Sequence, residues 1–226
     1  TFQFKEGEVL LINKPLHWTS FQLVNKLRWL IKRKLGIKKI KVGHAGTLDP
    51  LATGLMIICT GKKTKEINQY QAAEKEYIAT LKLGATTASY DGETEENYFY
   101  PTKHISHELI TKTCTRFLGE TEQIPPAFSA IKVKGKKLYE SARKGKEVEI
   151  KPRKIRINEL ELMNIDLPYI QLRVSCSKGT YIRSLAYDLG KALNSGAWLC
   201  DLKRTKIGSN TLNKALDVQV FEEMMK

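Results

Sequence analysis

One stretch, from Gly43 to Gly54, constrains this chain more than any other. It reads Gly-His-Ala-Gly-Thr-Leu-Asp-Pro-Leu-Ala-Thr-Gly. Its glycines allow positive φ angles or close approach of the backbone to another group. Pro50 disfavours helical geometry at Asp49, because the proline ring crowds the residue before it. Asp49 is therefore expected on a loop. The apolar run Leu55–Cys59 predicts a buried strand over Leu55–Thr60 that fixes the position of Asp49.

The residues of this loop, taken alone, allow two roles for Asp49. A carboxylate on a rigid loop beside a basic segment suits a reaction on a polyanion. A glycine-rich turn in which Asp49 merely caps a backbone amide is the alternative.

The composition favours a folded protein with an anionic partner. The 226 residues suffice for one large domain or two small ones, and 42% hydrophobic residues permit a proper core. The formal net charge of +14 favours binding to phosphates. Charge alone does not separate tRNA from rRNA, DNA or an anionic membrane, but no apolar run reaches the roughly 18 residues that span a bilayer.

The cysteines indicate a reducing compartment. Cys59, Cys114, Cys176 and Cys200 stand far apart in strand-like or helical apolar patterns. This spacing predicts buried thiols in a cytoplasmic protein, with neither a disulfide framework nor a zinc site.

The first elements are a strand and a basic helix. Glu8–Asn13 predicts a buried strand that stops at Lys14-Pro15. Thr19 or Ser20 is suited to cap a helix over Phe21–Leu35, which ends at Gly36. The helix and its exit carry Lys26, Arg28, Lys32, Arg33, Lys34, Lys38, Lys39 and Lys41 with no acid among them. Such a run is often a solvated face, but here it leads into the Gly43–Gly54 loop and favours an RNA-facing patch.

Further along, the patterns predict a strand at Lys75–Gly84, a loop at Thr86–Tyr98, a short helix at Thr64–Tyr70 and a helix at Ser106–Leu118. Strands are predicted at Arg153–Met163 and Tyr169–Ser177, and a helix capped by Thr180 follows.

By pattern alone, Tyr77 is typical of a core tyrosine. Arg183 in the first turn opposes the helix dipole, so it is expected to have an anionic partner; a surface arginine is the alternative.

The Gly43–Gly54 string, followed by Gly61-Lys62-Lys63-Thr64-Lys65, closely resembles the catalytic signature of the TruB family of tRNA pseudouridine synthases. Other stretches also resemble motifs of that family, from Asn13 to Gly208. They are Asn13-Lys14-Pro15 with Trp18–Phe21, Lys75-Glu76-Tyr77, Thr87–Gly92, Gln123–Arg143, Lys178–Leu185 and Gly196–Gly208.

The resemblance implies roles for individual residues. Asp49 is implied as the catalytic residue, Arg183 as its ion-pair partner, and Tyr77 as the ring against the target base. His44 is implied to enter the RNA loop. Further implied substrate contacts are Tyr181, Leu202, Lys14 and Lys132, and the supporting residues are Asp91, Gly43 and Gly46.

Two positions depart from the family pattern. His17 stands where the first motif has a glycine, which affects the local turn geometry. Ala88 replaces a usual acid near Asp91, and an ordinary turn aspartate is the alternative reading of Asp91.

The resemblance further implies an α+β fold: a large mixed, mostly antiparallel sheet with flanking helices and an RNA-binding cleft. We expect residues 1–226 to form a single catalytic domain without the C-terminal RNA-binding PUA domain of many relatives. The implied reaction converts uridine 55 in the T-loop of tRNA to pseudouridine. It requires no cofactor, metal, membrane or obligatory protein partner, and the enzyme is expected to be a monomer in the cytoplasm.

Two other functions remain open at this stage. One is an RNA-binding chaperone that uses the fold without chemistry. The other is a pseudouridine synthase that acts on another RNA.

Overall fold

The structure, a computed structural model, describes residues 2–129, 132–133, 136–137 and 149–226. The chain divides into two compact units. The first consists of the residues up to Tyr77 together with Leu202–Lys226, and the second of Ile78–Asp201. The single catalytic domain expected over residues 1–226 stays a prediction.

The described strands range from 2 to 14 residues in length. In chain order they are β1 (Val9–Lys14), β2 (Val42–His44), β3 (Ala52–Thr60), β4 (Lys75–Leu83), β5 (Ala85–Thr87), β6 (Glu96–Phe99), β7 (Gly119–Gln123), β8 (Lys132–Val133), β9 (Lys136–Lys137), β10 (Arg153–Asp166), β11 (Tyr169–Cys176), β12 (Ala197–Ile207), β13 (Asn210–Thr211) and β14 (Leu216–Asp217). The described helices are α1 (Ser20–Leu35), α2 (Ile67–Ala72), α3 (His107–Thr115), α4 (Ile182–Ala192) and α5 (Val218–Met224), with 3₁₀ turns at Gly61–Glu66 and Leu212–Lys214.

In the first unit, strand β3 is central. The strand order is β14-β1-β3-β12, with β2 against β3 and β13 against β12. β1 runs antiparallel to β3, whereas β12 runs parallel to it with Leu202 opposite Ala52. Because β3 has neighbours on both edges, its residues from Leu55 to Cys59 are wholly buried and form the middle of the core.

In the second unit the strand order is β4-β11-β10-β7, and β10 runs antiparallel to both of its neighbours. β5 and β6 form a separate antiparallel pair. The predicted fold class, α+β with a large, mostly antiparallel sheet, is confirmed. No helix in the described ranges is long and apolar enough to cross a membrane.

Helix α1 forms as its sequence predicts. The Thr19 side chain accepts from the Gln22 amide while Gln22 reaches back to Thr19, which completes a capping box. Gly36 ends the helix in the left-handed conformation, with φ of 60°. The apolar stripe of the helix is buried: Leu23, Val24, Leu27, Leu30 and Ile31.

Most predicted strands are confirmed, and two local predictions are wrong. The helix predicted at Thr64–Tyr70 is also confirmed, as a 3₁₀ turn that continues into α2. Thr86–Tyr98 contains the paired strands β5 and β6 rather than only loop. Thr180 does not cap α4, because its hydroxyl donates to the Ser177 carbonyl.

The turn after β1 has glycine-like geometry at a histidine. His17 adopts φ of 68°, and its amide donates to the Pro50 carbonyl at 2.7 Å. The backbone therefore keeps the conformation that a glycine would favour there, although a histidine in this region is strained.

We predict that His17→Gly stabilises the protein. It relieves about 1–2 kcal/mol of left-handed strain and loses about 0.5–1 kcal/mol to the extra backbone entropy of glycine. The net gain of about 0.5–1 kcal/mol should raise the melting temperature by about 1–4 °C. The neighbouring exposed residue is the control: Leu16→Gly should lower the melting temperature, and equal effects of the two changes would contradict the prediction.

Candidate active site

The loop from Gly43 to Gly54 begins and ends on paired strands. β2 runs antiparallel to β3, with Gly43 opposite Cys59 and His44 opposite Ile58. The Ala45 amide then donates to the Ile57 carbonyl at 3.0 Å. The loop is thus attached at its base to the most buried strand of the first unit.

Ser20 fixes the middle of the loop. Its hydroxyl donates to the Leu48 carbonyl at 3.0 Å and accepts from the Leu48 amide at 2.9 Å. The backbone carbonyl and amide of Leu48, the residue before Asp49, are therefore both held by the first turn of α1. The Asp49 carbonyl accepts from the Ala52 amide at 3.0 Å, which closes the turn, and the Asp49 side chain is half-buried. Asp49 consequently lies on a rigid loop, as predicted.

Arg204 holds the same loop from strand β12. Its guanidinium is 1% exposed, with Nε donating to the Leu55 carbonyl at 2.8 Å and Nη2 to the Gly46 carbonyl at 3.1 Å. Gly54 permits this approach: a Cβ atom there would lie 2.3 Å from the Arg204 carbonyl oxygen, and its φ is 107°. Gly46 likewise adopts φ of 109°, so both glycines are used for conformations that other residues rarely reach.

Lys14 is buried close to this loop. Its ammonium donates to the Pro15 carbonyl at 2.9 Å and to the Trp18 carbonyl at 2.6 Å. Burial lowers the pKa of Lys14 to about 8, while Asp49 raises it and Arg204 lowers it further. Lys14 thus holds the turn after β1 and interacts electrostatically with Asp49, and its predicted contact with substrate stays a prediction.

His44 is a largely neutral imidazole at the edge of the loop. Burial lowers its pKa, the backbone of Gly46 opposes that effect, and Arg204 adds to it. Its Nδ1 atom is buried and makes no hydrogen bond within the described residues. A ring with an unused polar atom is suited to meet a ligand, but a brace for its own loop is the alternative.

Tyr77 and Leu202 also belong to the first unit. Tyr77 lies on the buried face of β4, as the strand pattern predicted, and is 8% exposed. Leu202 on β12 is likewise 8% exposed and pairs with Ala52, close in sequence to Asp49. Beside them, Glu76 accepts from the Thr205 hydroxyl at 2.8 Å and lies 3.2 Å from the Lys206 ammonium.

In the second unit, Arg183 is buried rather than on the surface. It is 5% exposed, and its Nη1 atom donates to the Phe128 carbonyl at 2.8 Å and to the Ser89 carbonyl at 3.4 Å. Its Nε atom lies 3.9 Å from an Asp91 carboxylate oxygen. The expectation that this arginine has an anionic partner is met by Asp91.

Asp91 organises a tight turn as well. Its other carboxylate oxygen accepts from the Ser89 hydroxyl at 2.6 Å and from the Glu93 amide at 2.9 Å. Tyr90 between them has φ of 65°, and its ring stacks on Tyr187 with centroids 4.2 Å apart. The turn is thus held in a strained conformation that presents both Asp91 and the Ser89 carbonyl to the arginine.

Gln123 fixes Tyr181 at the start of α4. Its amide oxygen accepts from the Tyr181 N–H at 2.8 Å, and its amide nitrogen donates to the Tyr181 carbonyl at 3.0 Å. Ser184 donates to the carbonyl of Ile124 at 2.7 Å, one residue along. The segment after β7 therefore clamps the first turn of the helix that carries Arg183.

The structure brings the predicted residues together in two groups. In the first unit, the Gly43–Gly54 loop carries His44 and Asp49, together with Gly43 and Gly46, and Lys14 is buried close to it. Asp91, Tyr181 and Arg183 cluster in the second unit. The Asp49–Arg183 pair stays a prediction, and the Lys132 side chain lies outside the described residues.

Sequence reasoning missed Arg204, Ser20 and Gln123. Arg204 stands in the Gly196–Gly208 motif, and its basic side chain at an inward position of an alternating strand was a signal that could have been used. Ser20 was considered only as a helix cap. Gln123 carries no local signal, because its partner is 58 residues away in the sequence.

The comparison with known families defines a class, the pseudouridine synthases. Residues 32–182 match the family model described as TruB family pseudouridylate synthase, N-terminal domain. The chain belongs to the TruB family, and its enzyme class is therefore isomerase.

Similar proteins span nearly the whole chain. A protein of Phocaeicola vulgatus is 60% identical over 222 residues, covering 98% of this chain and 94% of the relative. A protein of Flavobacterium johnsoniae is 57% identical, and the match covers 99% of this chain and 98% of the relative. A protein of Chlorobaculum tepidum is 46% identical, and the match covers 98% of this chain and 92% of the relative. All three are named tRNA pseudouridine synthase B.

Solved structures agree on the fold. A chain in a Cbf5–Nop10–Gar1 complex superposes with a TM-score of 0.71 at 26% identity, covering 97% of this chain and 54% of that one. A chain of an H/ACA ribonucleoprotein bound to a substrate RNA has a TM-score of 0.68 at 24% identity, covering 97% and 53%, and shows the fold alone. This chain spans about half the length of those two.

We predict that Arg204→Met destabilises the protein by about 2–4 kcal/mol, because two buried carbonyls lose their donor. Arg204→Lys should be intermediate, since one ammonium cannot reproduce the fork of a guanidinium. Urea unfolding measures both. The exposed strand neighbour provides the control: Lys203→Met should change stability by less than about 0.5 kcal/mol, and a loss as large as that of Arg204→Met would refute the anchoring role.

We predict a pH-dependent stability difference between the protein and Lys14→Met. Below pH 8, Lys14 is charged in both the folded and unfolded states, so the difference is constant. Between about pH 8 and its ordinary pKa of 10.5, the unfolded state binds more protons. As the pH rises over that range, the free energy of unfolding of the unsubstituted protein should therefore increase by about 1–3 kcal/mol relative to that of Lys14→Met. Urea unfolding at successive pH values tests this, and a flat difference would show that the Lys14 pKa is not lowered.

Proposed function

We propose that this protein is a tRNA pseudouridine synthase that isomerises uridine 55 in the T-loop. Membership of the TruB family and the names of relatives up to 60% identical support pseudouridine synthesis in tRNA. The observation that carries the proposal is the placement of Asp49. It lies half-buried on a loop held by Ser20 and Arg204, within electrostatic reach of the buried Lys14.

The reaction needs no external reagent, because uridine and pseudouridine contain the same atoms. The N1–C1′ bond breaks, the base turns, and C5 bonds to C1′. C5 then loses its proton and N1 gains one, so no atom is gained or lost overall. The Asp49 carboxylate starts the reaction either by covalent attack on the sugar or base or by removal of a sugar proton. Both routes require an ionised carboxylate, and a nearby cation favours that form in a site that excludes water.

Arg183 is proposed as the cation that pairs with Asp49 in the working site. Its burial among the Phe128 and Ser89 carbonyls and Asp91 supports a fixed guanidinium. The clamp of Gln123 on Tyr181 supports a fixed first turn of α4. Removal of one partner of a buried ion pair costs about 3–5 kcal/mol, so Arg183→Ala should damage both the site and the activity.

The target uridine must leave its stack in the RNA loop, at a cost of a few kcal/mol. We propose that His44 enters the vacated space, where a neutral imidazole can stack and hydrogen-bond. Tyr77 then stacks on the extruded base, Tyr181 and Leu202 line its pocket, and Lys132 contacts the RNA.

The remaining attributes are proposed on the same basis. The enzyme acts alone on the T-arm of tRNA, as a monomer in the cytoplasm and without a cofactor or metal. Its RNA-binding cleft belongs to a single catalytic domain.

The test is the conversion of an unmodified tRNA transcript, mapped to the nucleotide. The protein should produce pseudouridine at position 55, and Asp49→Asn should reduce the rate at least about 1,000-fold. Asp166→Asn, the same change at an exposed strand end, should leave the rate within about twofold.

The other outcomes separate the alternatives. Binding of tRNA without conversion would indicate an RNA-binding protein. Conversion only at another position, or only in rRNA, would indicate a different substrate. Equal rates for Asp49→Asn and the protein would overturn the role of Asp49.

A further inference from the structure

The outer face of α1 combines an exposed indole with unpaired cations. Trp29 is 51% exposed, although its helix packs firmly on the core. The Lys26 ammonium and the Arg33 guanidinium each lie 5.4 Å from the centre of its ring. We call Trp29, Lys32 and Arg33 on the helix, together with the exposed Lys34, Lys38 and Lys39 at and beyond its C-terminal end, the α1 surface.

Among the described residues, no acidic side chain neutralises the charge of this surface. No acidic residue occurs between Glu8 and Asp49 in the sequence. Lys26 pairs with Glu222 at 2.6 Å, but none of the five cations of the α1 surface forms an ion pair with a described residue. A row of cations without acids is suited to a polyanion.

The surface is rigidly connected to the loop that carries Asp49. Arg28 donates to the Val42 carbonyl at 2.9 Å, so α1 is attached to β2. β2 leads directly to His44, and Ser20 at the start of α1 holds Leu48. All of these residues belong to the first unit. A ligand on the α1 surface therefore has a fixed relation to the loop.

The pattern of exposed side chains favours RNA over a membrane. The apolar stripe of α1 is buried in the core, so the helix has no apolar face free to enter a bilayer. Outside the core, α1 exposes Trp29 among cations, while its other exposed apolar side chains, Phe21 and Leu35, stand singly near the two ends of the helix. An indole beside cations matches the pairing of aromatic platforms and basic side chains in single-stranded nucleic-acid sites.

We propose that the α1 surface binds a stretch of substrate RNA outside the target nucleotide, with its cations on phosphates and Trp29 stacked on an unpaired base. The inference rests on the proposed function for the identity of the RNA. Within α1 the surface runs from Trp29 to Lys34, about 8 Å along the helix axis at about 1.5 Å per residue. With Lys38 and Lys39 beyond the end of the helix, the surface can contact more than one phosphate.

The first test measures binding of an unmodified tRNA transcript at several salt concentrations. The triple variant Lys34→Ala/Lys38→Ala/Lys39→Ala should bind at least about tenfold more weakly, with a slope of log K against log salt reduced by about 2–3. The matched control is Lys103→Ala/Lys112→Ala/Lys214→Ala. These lysines are also exposed, the net charge changes equally, and each set contains one lysine from the last turn of an α-helix.

The second test isolates the indole. Trp29→Ala should weaken tRNA binding about tenfold, whereas Trp29→Phe should stay within about threefold because it keeps a flat ring. Both changes should raise KM and leave kcat unaltered, because they remove binding that is equal in the ground and transition states.

Three results would overturn the inference. The first is an equal loss of tRNA affinity in the two triple variants, and the second is normal tRNA binding by Trp29→Ala. The third is binding to mixed phosphatidylserine–phosphatidylcholine vesicles that the changes in the α1 surface weaken more than they weaken tRNA binding. All binding is also measured with Asp49→Asn protein, so it does not depend on conversion. A protein that binds through this surface but never forms pseudouridine would refute the proposed function and leave the inference standing.

Discussion

The contact on which the first unit depends is the buried guanidinium of Arg204. It joins strand β12 to the Leu55 carbonyl at the centre of the core and to the Gly46 carbonyl in the signature loop. Burying a cation is costly unless its donors are satisfied, and here backbone carbonyls satisfy two of them. Gly54 allows the two strands to come close enough for this contact. The position of Asp49 is thus set by a residue that is 155 positions away in the sequence.

Lys14 is a second buried cation, and backbone carbonyls also satisfy two of its donors. The Lys14 ammonium is held by two carbonyls of its own turn, and burial outweighs the effect of Asp49 on its pKa. Arg204 lowers the Lys14 pKa further, because the two cations repel each other. Such a cluster costs stability, which the satisfied hydrogen bonds and the apolar core around β3 must offset.

The sequence predicted local structure well wherever a short-range rule was decisive. The capping box and Gly36 define α1, and the alternation from Tyr77 to Leu83 defines the buried face of β4. It also identified the loop of Asp49 from its glycines and proline. The contacts of Arg204, Ser20 and Gln123 could not be predicted, because each joins residues remote in sequence through a backbone group that has no side-chain signature. Thr86–Tyr98 was misread because its polar composition hides the pairing of β5 with β6.

The burial of the apolar stripe of α1 has a consequence beyond stability. A helix that is free to roll could present its cations in any direction, but this one is fixed by its core contacts, by the Arg28 bond to β2 and by Ser20 on the loop. The same packing that immobilises Asp49 therefore also immobilises Trp29. A rigid body that carries both a reactive loop and a binding face requires no rearrangement of these elements when a polyanion arrives, so less binding free energy is spent on ordering the protein.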